Sequence, residues 1–408
     1  MATIRADVDG ATVLGTAGDD VIAGRANFAL IDGGAGNDTL GPLGGRDTLH
    51  GGLGDDSLTA STAGLTFGDE GADTIVGQPD ETLNLIEGGA GDDVLDGDPE
   101  GQPFIAYAMY ATATGGVRVS LATEAPQAVG GGAGVDVLRH FNGLVGSAFA
   151  DTLTAGVGVQ TLLGGAGDDR LEAGPSGTTL LGGPGDDLMI GGAGGDTAFY
   201  DQDLVTGAAG ASGPLTVDLR VTVAQDVGGG QGRDTLLSID NLVGGGFGDR
   251  LTGSDDPNLM FGRAGADSIS GLGGNDTVYG DQDADTLNGN TGNDRVEGGD
   301  GADVVRGGQG DDVVSGGDGN DFLAGDRGAD TLTGGSGADL FHAWSGAGLD
   351  RVTDFHAGEG DRVVLLPGEA PVIAQNGADT VIDFGGGNQM VLVGVQLASL
   401  PAGWIFGG

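Results

Sequence analysis

An aspartate recurs every nine residues over long stretches of this chain, always in the sixth place of a glycine-rich unit. Between Gly262 and His342 the units run without a break: GRAGADSIS, GLGGNDTVY, GDQDADTLN, GNTGNDRVE, GGDGADVVR, GGQGDDVVS, GGDGNDFLA, GDRGADTLT and GGSGADLFH. Their sixth residues are Asp267, Asp276, Asp285, Asp294, Asp303, Asp312, Asp321, Asp330 and Asp339, and the eighth is apolar throughout, from Ile269 to Phe341. The same unit occurs earlier. It supplies Asp20, Asp38, Asp47, Asp56, Asp73 and Asp93, then Asp136, Asp151, Asp169, Asp187 and Asp196, then Asp234 and Asp249. Carboxylates at a fixed period, in a chain without cysteine and with scattered histidines, make a cation-binding array of hard oxygen donors.

The elements that position these aspartates follow from the rest of the unit. Positions one to six have the composition of a tight turn, where glycine permits positive φ and close backbone approach. Positions seven to nine predict a three-residue strand, with the eighth side chain on one face. Turn, strand, turn, strand closes a flattened coil of eighteen residues. Turns on one edge are then about 4.8 Å apart, the strand spacing. Two stacked turns bring together two aspartates and several carbonyl oxygens, a flexible oxygen cage that selects Ca²⁺ over zinc, while Mg²⁺ demands stricter octahedral geometry. One buried Val or Leu per unit gains roughly 1.5–3 kcal/mol, against ~1–2 kcal/mol for ordering each residue. The prediction is a chain that folds on binding calcium.

Composition narrows the partners. Sixty-one acidic residues against 15 basic ones give a net charge of -46, which excludes nucleic acid and anionic membrane as partners, since both need basic patches. All 15 basic residues are arginine. Absence of cysteine excludes disulfides, thiolate zinc sites and thiol redox chemistry. The 91 glycines lack the three-residue period of collagen. No run approaches the ~18 apolar residues of a membrane span, so no membrane insertion is expected. Residues 1–15 show no basic segment followed by an apolar one, so no N-terminal secretion leader is expected.

The repeat divides the chain. Residues 1–14 lead in; 15–96 form a first block of coils; 97–130 are an irregular coil. Residues 131–199 form a second block, 200–228 a second irregular coil, 229–342 a third block, and 343–408 leave the register. A longer repeat is superimposed: residues 117–154 match 215–252 without gaps, at an offset of 98. Each irregular stretch reads as a wider coil of the same solenoid. The tail holds strand-like segments over Arg362–Leu366, Asp379–Phe384 and Gln389–Val395. Along 146–199 one edge keeps Asp151, Asp169 and Asp187, while the opposite edge carries Gln160 and Thr178, where metal sites are expected to be missing or weak. Residues at position five (Asp19, Asn37, Asp55, Asp168, Asn275) read as turn formers. His50, His140, His342 and His356 read as surface residues. Tyr200, Asp201, Asp203 and Asp218 could line a cleft in the second irregular coil, but packing and turn formation are the favoured account of them.

The GGxGxDxUx unit over most of residues 15–342 resembles the repeats-in-toxin (RTX) family. That resemblance implies an all-β fold: a parallel β-roll, a right-handed β-solenoid with Ca²⁺ between stacked turns, finished by a small β-rich C-terminal cap. The tail (DRVTDFHAGEGDRVVLL, then ADTVIDFGGGNQMVLVGV) is similar to RTX C-termini, which serve as uncleaved signals for the type I secretion machinery. Neither HExxH nor GxSxG is present, so neither the metalloprotease nor the lipase branch of such proteins is supported. The expectation is a secreted, non-enzymatic structural or surface protein of the extracellular matrix, binding on the order of twenty Ca²⁺ to balance its charge. The partners considered are itself or cell-surface polysaccharide. The alternatives are a polysaccharide-binding or polysaccharide-modifying solenoid enzyme, or a surface-layer or filament subunit.

Overall fold

The computed structural model describes the chain except for residues 1, 26, 42–44, 61–62, 79–82, 101–104, 203–204, 206, 208–209 and 408. The described residues are almost entirely β, with one short 3-10 turn at Leu397–Ser399. They fall into two compact units, Met1–Thr197 with Gln231–Ser238, and Ala198–Gly230 with Ile239–Gly408. Each is a parallel β-roll.

In the second unit one face stacks the strands Ser268–Gly273, Thr286–Thr291, Val304–Gln309 and Phe322–Arg327. The opposite face stacks Thr277–Gln282, Arg295–Asp300, Val313–Asp318 and Thr331–Ser336. Neighbours on a face are parallel and eighteen residues apart, as in Ile269↔Leu287↔Val305↔Leu323. The eighth residues meet between the faces, and Val278, Leu287, Val296, Val305, Val314 and Phe341 are fully buried. These strands have six residues where three were expected. The reason lies at position two, which sits in the left-handed region: Asp281 at φ 76°, Asn290 at 76°, Gly308 at 118°. That single reversal returns positions two and three to the ladder, so that Leu272 pairs Asn290 and Gly273 pairs Thr291.

The first unit begins the same way. One face runs through Asp20–Gly24, Thr39–Leu40, Ser57–Thr59, Thr74–Val76, Val94–Asp96 and Val135–Arg139. It ends where Gln127–Ala128 folds back antiparallel on Val135–Arg139. A fresh parallel face starts at Arg118–Ser120, pairing with Thr152–Thr154. The opposite face continues past this break, through Ala106–Met109 between Asn84–Ala90 and Gly143–Val145.

The C-terminal segment closes the second unit. Arg362–Leu365 and Ile405–Gly407 extend one face, and Asn388–Leu392 extends the other by pairing with Leu349–Val352. Asp379–Gly385 and Val372–Asn376 add antiparallel strands outside it. Phe355 bridges the last repeat to this cap, with ring centroids 5.9 Å from Phe341 and 6.2 Å from Trp404. No helix among the described residues is long and apolar enough to cross a membrane.

Because each coil owes its packing to one residue per strand, truncation there is costly. Leu287→Ala is expected to destabilise the calcium-saturated protein by about 2–5 kcal/mol, read as a lowered urea midpoint.

Candidate metal centre

The sixth-position aspartates lie at the turns, and each described one is almost wholly buried. Their two oxygens do different things. Oδ1 accepts the backbone N–H of the residue one coil earlier on the same edge. In the first unit Asp20 N–H donates to Asp38, Asp38 to Asp56, Asp56 to Asp73, and Asp73 to Asp93, at 2.7–2.8 Å. Asp93 then donates to Asp136, 43 residues away, across the irregular coil. A second ladder joins Asp151, Asp169, Asp187 and Asp234. In the second unit one edge links Asp249, Asp267, Asp285, Asp303, Asp321 and Asp339. The other links Asn258, Asp276, Asp294, Asp312 and Asp330.

Oδ2 is left over. It is buried without a hydrogen-bond partner at Asp38, Asp56, Asp73, Asp93, Asp169 and Asp187, and at Asp267, Asp276, Asp285, Asp294, Asp303, Asp312, Asp321 and Asp339. It points at the glycine that opens its own unit. A Cβ on Gly280 would collide with Oδ2 of Asp285 and the carbonyl oxygen of Gly298; Gly262, Gly298 and Gly316 stand in the same relation to Asp267, Asp303 and Asp321. An orphaned carboxylate oxygen and a carbonyl oxygen thus converge on a hollow that only glycine leaves open. No three acidic or histidine side chains among the described residues are placed to hold a metal ion together, so an ion here would be held by stacked aspartates and backbone carbonyls. That donor set suits a hard divalent cation.

Ladder ends are finished by the protein itself. Asp20 Oδ2 accepts from Thr16 N–H at 2.6 Å, Asp249 from Gly245 at 2.7 Å, and Asp196 from Gly192 at 2.6 Å. Asp136 Oδ2 accepts from the buried Tyr110 hydroxyl at 3.1 Å. Two further aspartates escaped the nine-residue pattern. Asp350 accepts from Asp330 N–H, and Asp361 from Asp339 N–H. Their spacings of 20 and 22 residues break the period, and only the Asp-Arg-Val run that each begins, at 350–352 and 361–363, could have signalled them.

The Asp-free edge is longer than Gln160 and Thr178. Register places Gly64, Asn84, Ala106 and Asn142 on the same edge of the first unit. Neutral side chains act there: between coils, Ala106 N–H donates to Asn142 Oδ1 at 2.9 Å and Gln160 Nε2 donates to the Phe141 carbonyl at 3.1 Å, while within single units Gly156 N–H donates to Gln160 Oε1 and Gly174 N–H to Thr178 Oγ1 at 3.3 Å. Asp47 and Asp196 lie at either end of this edge, and Thr178 N–H donates to Asp196 at 2.7 Å.

Position five forms an outer ladder running the opposite way. Asn37 N–H donates to Asp19, Asp55 to Asn37, Asp186 to Asp168, and Asn293 to Asn275, at 2.8–3.2 Å. The histidines stay apart: His50 pairs with Asp69 at 2.9 Å, His140 with Asp96 at 2.8 Å and His356 with Glu359 at 2.9 Å. His342 is half-buried beside Phe322. Tyr200 is buried. Asp201 faces Arg263 at 3.7 Å, and Asp218 binds Arg220 at 2.7 Å. Asp203 and Pro42, which opens the Asp47 unit, lie outside the described residues.

The family model for the RTX calcium-binding nonapeptide repeat matches residues 14–41, 43–62, 83–99, 144–171, 163–198, 243–278, 279–314 and 315–349. The chain belongs to the RTX calcium-binding repeat family. Among solved structures it is similar to the extracellular lipase LipA from Serratia marcescens, at 18% identity over 61% of this chain and 40% of that chain, with a TM-score of 0.20. The chain thus spans less than half the length of that lipase. No curated protein matches it. The parallel β-roll and its calcium-binding repeats are therefore those of an RTX protein.

Burial sets the electrostatics of this RTX array. Desolvation, with like-charged neighbours adding to it, raises Asp56, Asp73, Asp93, Asp169, Asp285, Asp312 and Asp321 to about 7, and Asp187 and Asp267 to about 8. Folded-state values above the ordinary 3.8 mean that protons favour the metal-free coil. That contribution is whole below about pH 4 and is lost as pH rises through 7 to 8. Calcium-free protein is accordingly expected to gain β signal in circular dichroism on acidification from pH 8 to 5. Calcium affinity should fall over the same interval as protons compete.

Proposed function

We propose that the chain is a secreted, calcium-folded structural or interaction protein of the cell surface or extracellular matrix. The observation that carries this reading is the repeated, unpartnered Oδ2 above a glycine hollow. Burying so many carboxylates without partners opposes folding. A bound divalent ion supplies positive charge there, while Asp267, Asp285, Asp303 and their equivalents provide the oxygens. The ligand set is the sixth-position aspartates, with Asp350 and Asp361 added. Open oxygens are concentrated in ladder interiors, which favours about fifteen ions over the twenty expected from charge alone.

The same coupling suits export. In a calcium-poor cytoplasm the chain stays unfolded and passes through a type I secretion channel. Outside, calcium folds it and discourages return. The tail then serves first as the export signal and afterwards as the cap on the second unit. No catalytic role is assigned. The interaction part of the reading draws support from the Asp-free edge, where Val157 and Val159 are 84% and 80% exposed beside Gln160. Apolar side chains of that exposure on a neutral edge favour contact with a second copy over a solvated surface.

Calcium titration followed by circular dichroism and light scattering tests both parts. The β spectrum is expected to appear at pH 7.5 only with calcium; its presence without metal would overturn the folding switch. Calcium-dependent scattering that disappears in Val157→Asp/Val159→Asp, with the β spectrum kept, is expected for self-assembly, and a monomer at all concentrations would refute it. Native mass spectrometry should count about fifteen ions, and Gly280→Ala should lose at least one.

A further inference from the structure

The irregular coil of the first unit covers a residue that elsewhere stays open. Glu87 is the ninth residue of its unit, a position whose side chain faces outward. Here Tyr110 and Thr112 fold over it, leaving Glu87 2% exposed. Its Oε1 accepts two hydrogen bonds, from Thr112 N–H and Thr112 Oγ1, both at 2.7 Å. Its Oε2 is buried and has no partner. This carboxylate takes no part in the turn ladders.

Glu87 lines a hollow of about 470 Å³ together with Asp69, Glu70, Tyr110, Thr112 and Gly131. Asp69 holds φ at 74°, where Gly52 and Gly89 occupy the paired positions on either side at 107° and 101°. Asp281 and Asp326 hold the same left-handed conformation at position two of their units. His50, behind Asp69 at 2.9 Å, bonds its outer side. Among the described residues, no basic one lines the hollow itself.

We propose that this hollow binds a small ligand through a protonated primary amine. The walls offer carboxylate acceptors and no cation, and the one unsatisfied buried atom, Glu87 Oε2, requires a donor. An ammonium group brings three donors and the charge that a buried carboxylate lacks. The space is far larger than a bare ion, and the acidic side chains around it do not converge as a metal cage would. A molecule of monosaccharide size fits the volume, with its amine at Glu87 and its remaining groups toward Asp69 and Glu70.

The site is specific to the first irregular coil. In the register of the 98-residue duplication, Thr114 Oγ1 bonds the Gly131 carbonyl just as Ser212 Oγ bonds that of Gly229. Gly210, however, stands where Thr112 does, so the duplicate has no hydroxyl for a buried carboxylate. One site per chain is therefore expected. The inference goes beyond calcium folding, and calcium-saturated protein with a verified β spectrum separates failure of one from failure of the other.

Isothermal titration with glucosamine and with glucose, which differ in one ammonium for one hydroxyl, provides the test. Glucosamine is expected to bind once per chain, with glucose at least ten-fold weaker. Glu87→Gln keeps the shape and the Thr112 bonds, and should weaken glucosamine at least ten-fold while leaving the β spectrum and calcium count unchanged. Asp69→Asn should weaken it as well. Equal binding of glucose, no binding of glucosamine, or an unaffected Glu87→Gln variant would overturn the proposal. Loss of a calcium ion from Glu87→Gln would also overturn it, by making the hollow a metal site.

Discussion

Everything in this protein hangs on a carboxylate that has two oxygens and only one partner. At each interior turn Oδ1 fastens one coil to the preceding one, and burial follows because the coils stack at strand spacing. Oδ2 is carried into the interior by the same stacking and meets no donor. The opening glycine has no side chain because that oxygen and a carbonyl occupy its Cβ position. Turn composition, strand spacing and net charge are thus one constraint seen from three sides. A coil whose packing rests on one apolar residue per strand gains too little to absorb the burial of unpaired anions, and on that ground we propose that the cation is part of the fold and not an addition to it.

The dependence is uneven. In the second unit both edges carry open carboxylates, from Asp267 to Asp339. In the first unit one edge dispenses with them over Gly64, Asn84, Ala106, Asn142, Gln160 and Thr178. Amide side chains provide inter-coil bonds there without bringing charge, Asn142 accepting from Ala106 N–H and Gln160 donating to the Phe141 carbonyl. The stacking geometry therefore does not require an aspartate at every turn, and where a neutral side chain takes that place no anion is buried. Neutral residues on one edge and carboxylates on the other leave the first unit with fewer buried anions per coil than the second.

Strict periodicity made most of this legible. Each turn repeats the same neighbours, so a single unit determines the role of all its copies, and the aspartate ladders and the buried eighth residues were readable from spacing. What escaped lay where spacing changes. Asp350 and Asp361 keep the ladder bond at separations of 20 and 22, outside the eighteen-residue period of the coils. Asn84, Ala106 and Asn142 share an edge only through pairings across irregular connections. The six-residue strands were hidden by a local cause: a left-handed residue at position two, filled by Asp281 or Asn290 as readily as by glycine, reads as turn chemistry in sequence.

The duplicated segment shows how a repeat protein acquires features that its repeat cannot encode. In both copies a glutamine clamps the irregular loop: Gln127 bonds the backbone N–H and carbonyl of Ser120, and Gln225 those of Asp218. Each copy also makes an antiparallel bridge, Val117 to Gly130 and Leu215 to Gly228. These bonds account for Asp218 as part of a structural clamp whose carboxylate is taken by Arg220. Such an interruption costs a face of the roll its continuity, since a parallel ladder cannot run through an antiparallel turn. What it provides in return is cover. A periodic coil leaves most of its ninth residues at least partly open to solvent, whereas an irregular one can fold across them, and there Glu87 becomes enclosed without belonging to the turns. Chemistry distinct from the calcium ladders must therefore arise where the period fails, and the first irregular coil is where the chain encloses a carboxylate outside those ladders.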